Sequence, residues 1–270
     1  MSTVTSRDGT TIGYERIGEG PPLIVVDGAL CYREMGPSPE IARLLARRFT
    51  VYTYDRRGRG ESGNTLPWSH EREVDDLAAL VEAAGGVAYL LGFSSGAALA
   101  LDAAARLPVP KVAVYEPPFI VDDSRTPVPE DFIPGLHRCL AQGRRGEAVK
   151  RFMRLVGMPG LLVAVAPLFP NWKKLTDVAH TLPYDLTIMD GTQSGRALPG
   201  SRWAGLTRPS LVLDGGKSPR WMRNGVGSLA NLLPASRYRT LPGQNHMVKA
   251  EVLAPALVEF FDELPLRRTA

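Results

Sequence analysis

Ser94 is the residue whose setting promises chemistry. It lies in Leu90-Leu91-Gly92-Phe93-Ser94-Ser95-Gly96-Ala97-Ala98-Leu99, an apolar run, a Gly-x-Ser-x-Gly turn and an Ala-rich stretch. A serine hydroxyl attacks well only if it is lifted clear of the chain and faces donors for the charge it creates. A sharp turn from a strand into a helix supplies both conditions, and the spacing fits one. Bulk at Gly92 or Gly96 would drive the strand into the returning helix, so glycine is needed on both sides of a strained nucleophile. A helix that starts at Ser95 points free N–H groups and its positive dipole end at whatever Ser94 attacks. The plainer alternative is an ordinary glycine-rich turn with an idle serine.

The rest of the chain reads as the scaffold that such a turn needs. Val4 to Arg16 alternates around Asp8-Gly9 and predicts two edge strands joined by a hairpin. Leu23–Val26, Val51–Tyr54, Val87–Gly92 and Lys111–Tyr115 are short apolar runs of the kind that form parallel strands buried on both faces. Helices are predicted over Ile41–Arg48, after the cap residue Ser69 with Val74, Leu77, Leu80, Val81 and Ala84 as its stripe, and over Ala97–Arg106. From Pro118 to about Thr207 the pattern changes. That stretch is rich in Pro and Gly, shows no strong strand, and predicts short helices at Asp131–Leu140, Glu147–Val156 and Trp172–His180. Alternation then resumes with strands at Ser210–Asp214 and Tyr238–Leu241 and helices at Trp221–Leu233 and Ala254–Leu264. The expected fold class is α/β, a mostly parallel sheet with helices on both faces. Its core is residues 1–117 and 207–270, and residues 118–206 form a helical insertion.

Bulk properties bound the function classes. At 270 residues, 44% hydrophobic and 22% charged, the chain fits one large core with an inserted subdomain. The net charge of +4 comes from scattered arginines and short clusters such as Arg144-Arg145, with no basic stripe interleaved with aromatics, so no nucleic-acid partner is expected. Cys31 and Cys139 make neither a metal-ligand spacing nor a disulfide framework. The N-terminus lacks the pattern of a signal peptide, and the apolar run Leu161–Phe169 is broken by Pro167 and too short to span a bilayer. A cytoplasmic protein with a small-molecule substrate, no membrane partner, no metal and no cofactor is the expectation. The oligomeric state is open.

Over nearly its whole length the chain resembles the α/β-hydrolase superfamily. Gly92 to Gly96 is similar to that family's nucleophile elbow. Tyr54-Asp55-Arg56-Arg57-Gly58-Arg59-Gly60-Glu61-Ser62 resembles its Asp-x-Arg-Gly-x-Gly-x-Ser loop, and Leu241-Pro242-Gly243-Gln244-Asn245-His246 resembles the loop that delivers its histidine. The resemblance implies Ser94 as nucleophile, His246 as base, and the insertion as a cap over the site. It implies an oxyanion hole from the N–H groups of Ala29 and Ser95. Gly28, Leu30 and Phe93, with Phe152 and Trp172 of the insertion, are the expected pocket lining. For the insertion's apolar residues, the alternative place is the insertion's own core.

Two positions depart from the family pattern. Where the family usually carries its acid, in the loop Gly215-Gly216-Lys217-Ser218, the position holds Ser218. Glu116, at a strand end resembling the acid position of haloalkane dehalogenases, and Asp214 are the two candidate carboxylates, with Glu116 preferred. Where the family has His-Gly, this chain has Asp27-Gly28, and a charge there would oppose an oxyanion unless Asp27 turns away or pairs with an arginine. Tyr32 and Arg33 either face the pocket or form loop surface. A serine nucleophile with this equipment performs acyl transfer on an ester, thioester or lactone. Carbon–carbon bond hydrolysis and perhydrolysis use the same triad. A ligand receptor or non-hydrolytic cyclase is the reading from another class.

Overall fold

The apolar runs become the middle of one sheet in the computed structural model, which describes residues 2–263. Among these residues eight strands occur: β1 (Ser2–Thr5), β2 (Thr11–Ile17), β3 (Pro22–Val26), β4 (Thr50–Tyr54), β5 (Tyr89–Phe93), β6 (Val112–Tyr115), β7 (Ser210–Gly215) and β8 (Ser236–Leu241). Their order in the sheet is β1-β2-β4-β3-β5-β6-β7-β8. β1 with β2 and β2 with β4 pair antiparallel, and the remaining pairs are parallel. The helices are α1 (Ser38–Leu45), α2 (His70–Ala83), α3 (Ser95–Ala104), α4 (Phe132–Ala141), α5 (Arg145–Leu155), α6 (Gly160–Val165), α7 (Trp172–Asp177), α8 (Leu182–Ile188), α9 (Arg220–Leu232) and α10 (Ala250–Asp262).

Side chains alternate across the pleat, so each central strand feeds two cores. Leu23, Val25, Leu91, Ala113 and Leu213 pack with α1 and α10 on one face. Ile24, Val26, Leu90, Val112, Val114 and Val212 pack with α2, α3 and α9 on the other. This double burial explains why β3, β5 and β6 read as continuous apolar runs.

Element ends shift where local chemistry overrides periodicity. α1 starts at Ser38, ahead of the predicted Ile41, because Pro39 sits in its first turn with φ already set for a helix. α10 starts at Ala250 rather than Ala254, since Ala250 and Leu253 extend its buried face. Leu264, the predicted end of that helix, lies outside the described residues. The predicted helix over Trp172–His180 divides into α7 and a 3₁₀ turn at Ala179–Thr181, and α8 follows beyond it. α8 has no signature in the sequence because Leu182, Pro183, Tyr184, Asp185 and Leu186 are all buried, which erases any amphipathic stripe. Between β6 and β7 the described chain holds α4 to α8 and no strand. These helices share a cluster built on Leu136, Val149, Val163 and Leu182. Ile188 and Met189, by contrast, join the core beneath the sheet, so α8 belongs to both packing units.

Candidate active site

The turn after β5 is as tight as the sequence demands. Ser94 sits at φ 52°, ψ −126°, outside the comfortable regions for a residue with a side chain. A Cβ on Gly96 would lie 2.4 Å from both Val26 O and Asp27 O, and one on Gly92 2.6 Å from Ala97 Cα. Backbone therefore crosses backbone where only hydrogen atoms fit. Ser94 N–H still donates to Tyr115 O at 3.0 Å, so the ladder continues one residue beyond the strand and fixes the serine at the sheet's C-terminal edge. β4 lies on one side of β3 and β5 on the other, so the loops leaving β3 and β5 diverge around a crevice. A Cβ at Gly28, just after β3, would lie 3.5 Å from Ser94 Oγ.

Glu116 and His246 meet at this edge. Glu116 follows β6, is fully buried, and has φ 45°. Its Oε2 lies 2.9 Å from His246 Nδ1. Its Oε1 accepts from Gly215 N–H at 2.7 Å and from the Ser218 hydroxyl. Ser218, in the place where a carboxylate was expected, thus supports the carboxylate that stands elsewhere. A buried carboxylate needs such donors, because leaving it unpaired costs several kcal/mol. The His246 loop is held by Tyr115 Oη donating to Asn245 O at 2.6 Å, and the imidazole stays 41% exposed. Asp214 points elsewhere: its Oδ2 accepts from Tyr238 Oη at 2.7 Å and lies 3.4 Å from Arg223 Nε. Successive residues of a strand face opposite sides of the sheet. Gly215 N–H reaches Glu116 while the side chain of Asp214 is turned toward β8 and α9.

The loop after β3 rests on buried arginines. Arg59 Nη1 donates to Gly28 O at 2.6 Å and Cys31 O at 3.0 Å, and Arg56 Nη1 donates to Asp27 O at 3.2 Å. Both guanidinium groups pair with Asp185 of α8, and Arg56 also pairs with Glu73. Burial works against the Asp185 charge, yet Arg59 and Arg56 hold its carboxyl below the ordinary range. Asp27 turns toward α1, where its Oδ2 accepts from Ser38 Oγ at 2.5 Å. Burial pushes its carboxyl up to about 7, outweighing the Ser38 hydrogen bond and the nearby Arg59 and Arg56. Among the described residues the non-glycine residues at positive φ are Leu30, Ser94 and Glu116, one in each of the three loops that meet here. Strain of this kind persists where surrounding structure enforces a working geometry.

The sequence model of the Alpha/beta hydrolase family matches residues 25–256, the span from β3 into α10. The chain belongs to that family. Pimeloyl-(acyl-carrier protein) methyl ester esterase of Xanthomonas oryzae pv. oryzae is 27% identical over 261 residues, covering 92% of this chain and 98% of that protein. The uncharacterized hydrolase YraK of Bacillus subtilis is 35% identical over 104 residues, a match spanning only 37% of this chain and 38% of that protein. The crystal structure of an alpha/beta hydrolase from Sphaerobacter thermophilus superposes with a TM-score of 0.89 at 50% identity, covering 96% of this chain and 100% of that one.

In this α/β hydrolase several residues expected to line a pocket serve packing. Phe93 is buried on the α1/α10 face, its ring centroid 6.3 Å from that of Tyr115. Phe152 and Trp172 pack against the insertion's own core, as does Leu30 from the loop after β3. Ala29 is partly buried beside that cluster. Arg33 is buried and paired with Asp55 and Glu61, while Tyr32 and Arg33 line a polar cavity of about 340 Å³ with Asp55, Lys174 and Asp177. Tyr115, Arg56, Arg59 and Asp185 support the hydrolase's site without having been singled out in the sequence, and Ser218 does so from the position where the family pattern puts an acid. The two arginines were visible in the Asp55–Ser62 motif, but their partner sits in the unpatterned α8. No helix among the described residues is long and apolar enough to cross a membrane.

Proposed function

We propose that this α/β hydrolase is a serine hydrolase that cleaves a small, largely apolar ester, thioester or lactone through an acyl-enzyme on Ser94. The observation that carries this reading is the 2.9 Å contact of His246 Nδ1 with the buried Glu116, on the edge that holds the strained Ser94. Glu116 fixes the tautomer with the proton on Nδ1, leaving Nε2 free to accept the Ser94 proton. Ser94 Oγ adds to the carbonyl carbon, and the oxygen takes the negative charge beside the N–H groups of Ala29 and Ser95. His246 then protonates the leaving group. Water repeats the sequence in reverse to free the acid and Ser94. Side chains and backbone supply every group in this cycle. The methyl ester esterase among the relatives supports an ester as substrate. Helices α4 to α8 act as the cap that selects it.

A fluorophosphonate probe with mass-spectrometric mapping tests the reading. Rapid adduct formation at Ser94, lost in Ser94→Ala, is the expected result. Glu116→Gln is expected to lower kcat on an aryl ester by roughly 10³- to 10⁴-fold, as loss of the orienting carboxylate does in such triads. Asp214→Asn is expected to stay near wild type. If both the fluorophosphonate and a smaller sulfonyl fluoride leave Ser94 of the folded protein unmodified, the serine-hydrolase reading is wrong.

A further inference from the structure

We propose that Asp185, in the helical insertion, is a positioning residue that sets both oxyanion donors at once. The inference rests on the serine-hydrolase reading and deepens it. In the Gly28–Ala29 peptide the plane is rigid, and a trans peptide points its C=O and N–H in opposite directions. Whatever grips Gly28 O therefore aims Ala29 N–H. Arg59 Nη1 grips it at 2.6 Å and holds Cys31 O as well, while Arg56 Nη1 holds the preceding carbonyl, Asp27 O. A peptide flip here would present a carbonyl oxygen where an N–H belongs and would break the shortest of these bonds.

The arginines are in turn aimed by Asp185. Its Oδ2 accepts from Arg59 Nη2 at 2.5 Å, and its Oδ1 accepts from Arg56 Nη1 at 2.6 Å. The same Oδ1 accepts from Ser95 Oγ at 2.8 Å, and Ser95 carries the second donor. One carboxylate thus ties together the loop after β3 and the first residue of α3, which approach from different strands. Arg59's remaining side-chain contact is Thr181 Oγ1 at 3.1 Å, also in the insertion. Asp185, Arg56, Arg59 and Ser95 are all buried. Apolar residues of similar volume would match a buried ion network in stability, so stability alone does not explain one. What the network supplies is fixed direction, at three points of the backbone that surrounds Ser94.

The test uses the full chain and three variants: Asp185→Asn, Arg59→Lys and Ser95→Ala. Lysine keeps the charge but cannot span Asp185 and Gly28 O as a guanidinium fork does. Each variant is examined by urea unfolding, by kcat and KM on an aryl acetate, and by NMR of the hemiketal formed with a ¹³C-labelled trifluoromethyl ketone. The hemiketal carbon reports the pKa of its own oxygen, which reads the oxyanion donors directly. Asp185→Asn is expected to lower kcat by about 10²-fold with KM little changed, and to raise that oxygen's pKa. Arg59→Lys is expected to behave alike and Ser95→Ala to shift both values less in the same direction. Folded variants with wild-type kcat and wild-type oxyanion pKa would overturn the proposal. If Asp185→Asn does not fold, Arg59→Lys and Ser95→Ala decide by the same readouts. A wild type that forms no adduct at Ser94 sinks the serine-hydrolase reading itself. An adduct indifferent to positions 59, 95 and 185 sinks only the role given to Asp185.

Discussion

Asp27 shows how a residue that looks hostile to catalysis in the sequence is accommodated by its surroundings. Its carboxyl turns from the crevice to Ser38, and burial raises it from the usual 3.8 to about 7. Below about pH 7 the carboxyl at the start of this loop is thereby mostly uncharged. The same shift has a consequence for stability. Between about pH 4 and pH 7 the native state keeps a proton that the unfolded chain has released, so the wild type loses stability as pH rises through that window. Asparagine does not titrate. Asp27→Asn is expected to gain on the wild type between about pH 4 and pH 7, read as the difference in thermal midpoints at each pH. A gap that stays constant with pH would show that Asp27 ionises normally.

At the scale of elements, β5, the Ser94 turn and α3 form one device. The geometry of the turn follows from two close approaches, Gly92 to α3 and Gly96 to the end of β3. It leaves Ser94 at positive φ, a conformation that costs about 1–3 kcal/mol for a residue with a Cβ. Glycine would relieve that strain, less the extra freedom it has in the unfolded chain. Ser94→Gly is therefore expected to be more stable than Ser94→Ala by about 1 kcal/mol in urea unfolding, with neither variant accepting the probe. Ser94→Gly less stable than Ser94→Ala, by the roughly 0.4–1 kcal/mol that glycine's freedom in the unfolded chain costs, would mean that the turn holds no strain. Glu116 at φ 45° is the corresponding feature of β6, and the support of Gly215 N–H and Ser218 keeps its side chain on His246.

For the whole molecule, the decisive contact is between the insertion and the core. α8 contributes Leu182 and Leu186 to the insertion's cluster and Ile188 to the main core, which the next residue, Met189, also joins. Tyr184 stacks on Trp68 at 4.6 Å, and Asp185 pairs with both loop arginines. The ion pairs and apolar contacts are buried and Trp68 is half-buried, so the two parts are expected to lose structure together in urea, with far-UV dichroism and tryptophan fluorescence tracing one transition. Arg56→Met leaves Glu73 and Asp185 buried with less opposing charge and is expected to destabilise by about 3–5 kcal/mol. Separate transitions in the wild type would show that the insertion folds independently of the core.

Much of this was legible in the sequence, because the physics behind it is local. Apolar runs bounded by turns specify strands buried on both faces, and the glycines flanking Ser94 specify a turn that no bulkier residue fits. Those features determined the mostly parallel sheet, the order of elements and the serine at its edge. Glu116 was favoured over Asp214 because its strand end resembles the acid position of haloalkane dehalogenases. Only the tertiary structure showed Glu116 against His246 and Asp214 against Tyr238, because that outcome depends on which side of the sheet each strand end presents. That Phe93 joins the core on the α1/α10 face and that Phe152 and Trp172 pack against the insertion's cluster was likewise not legible, since an apolar side chain carries no mark of the cluster it joins. α8 and Asp185 were invisible because a segment buried all round has no periodic stripe, and a carboxylate gives no sign in sequence of the arginines, more than 120 positions away, that it will meet.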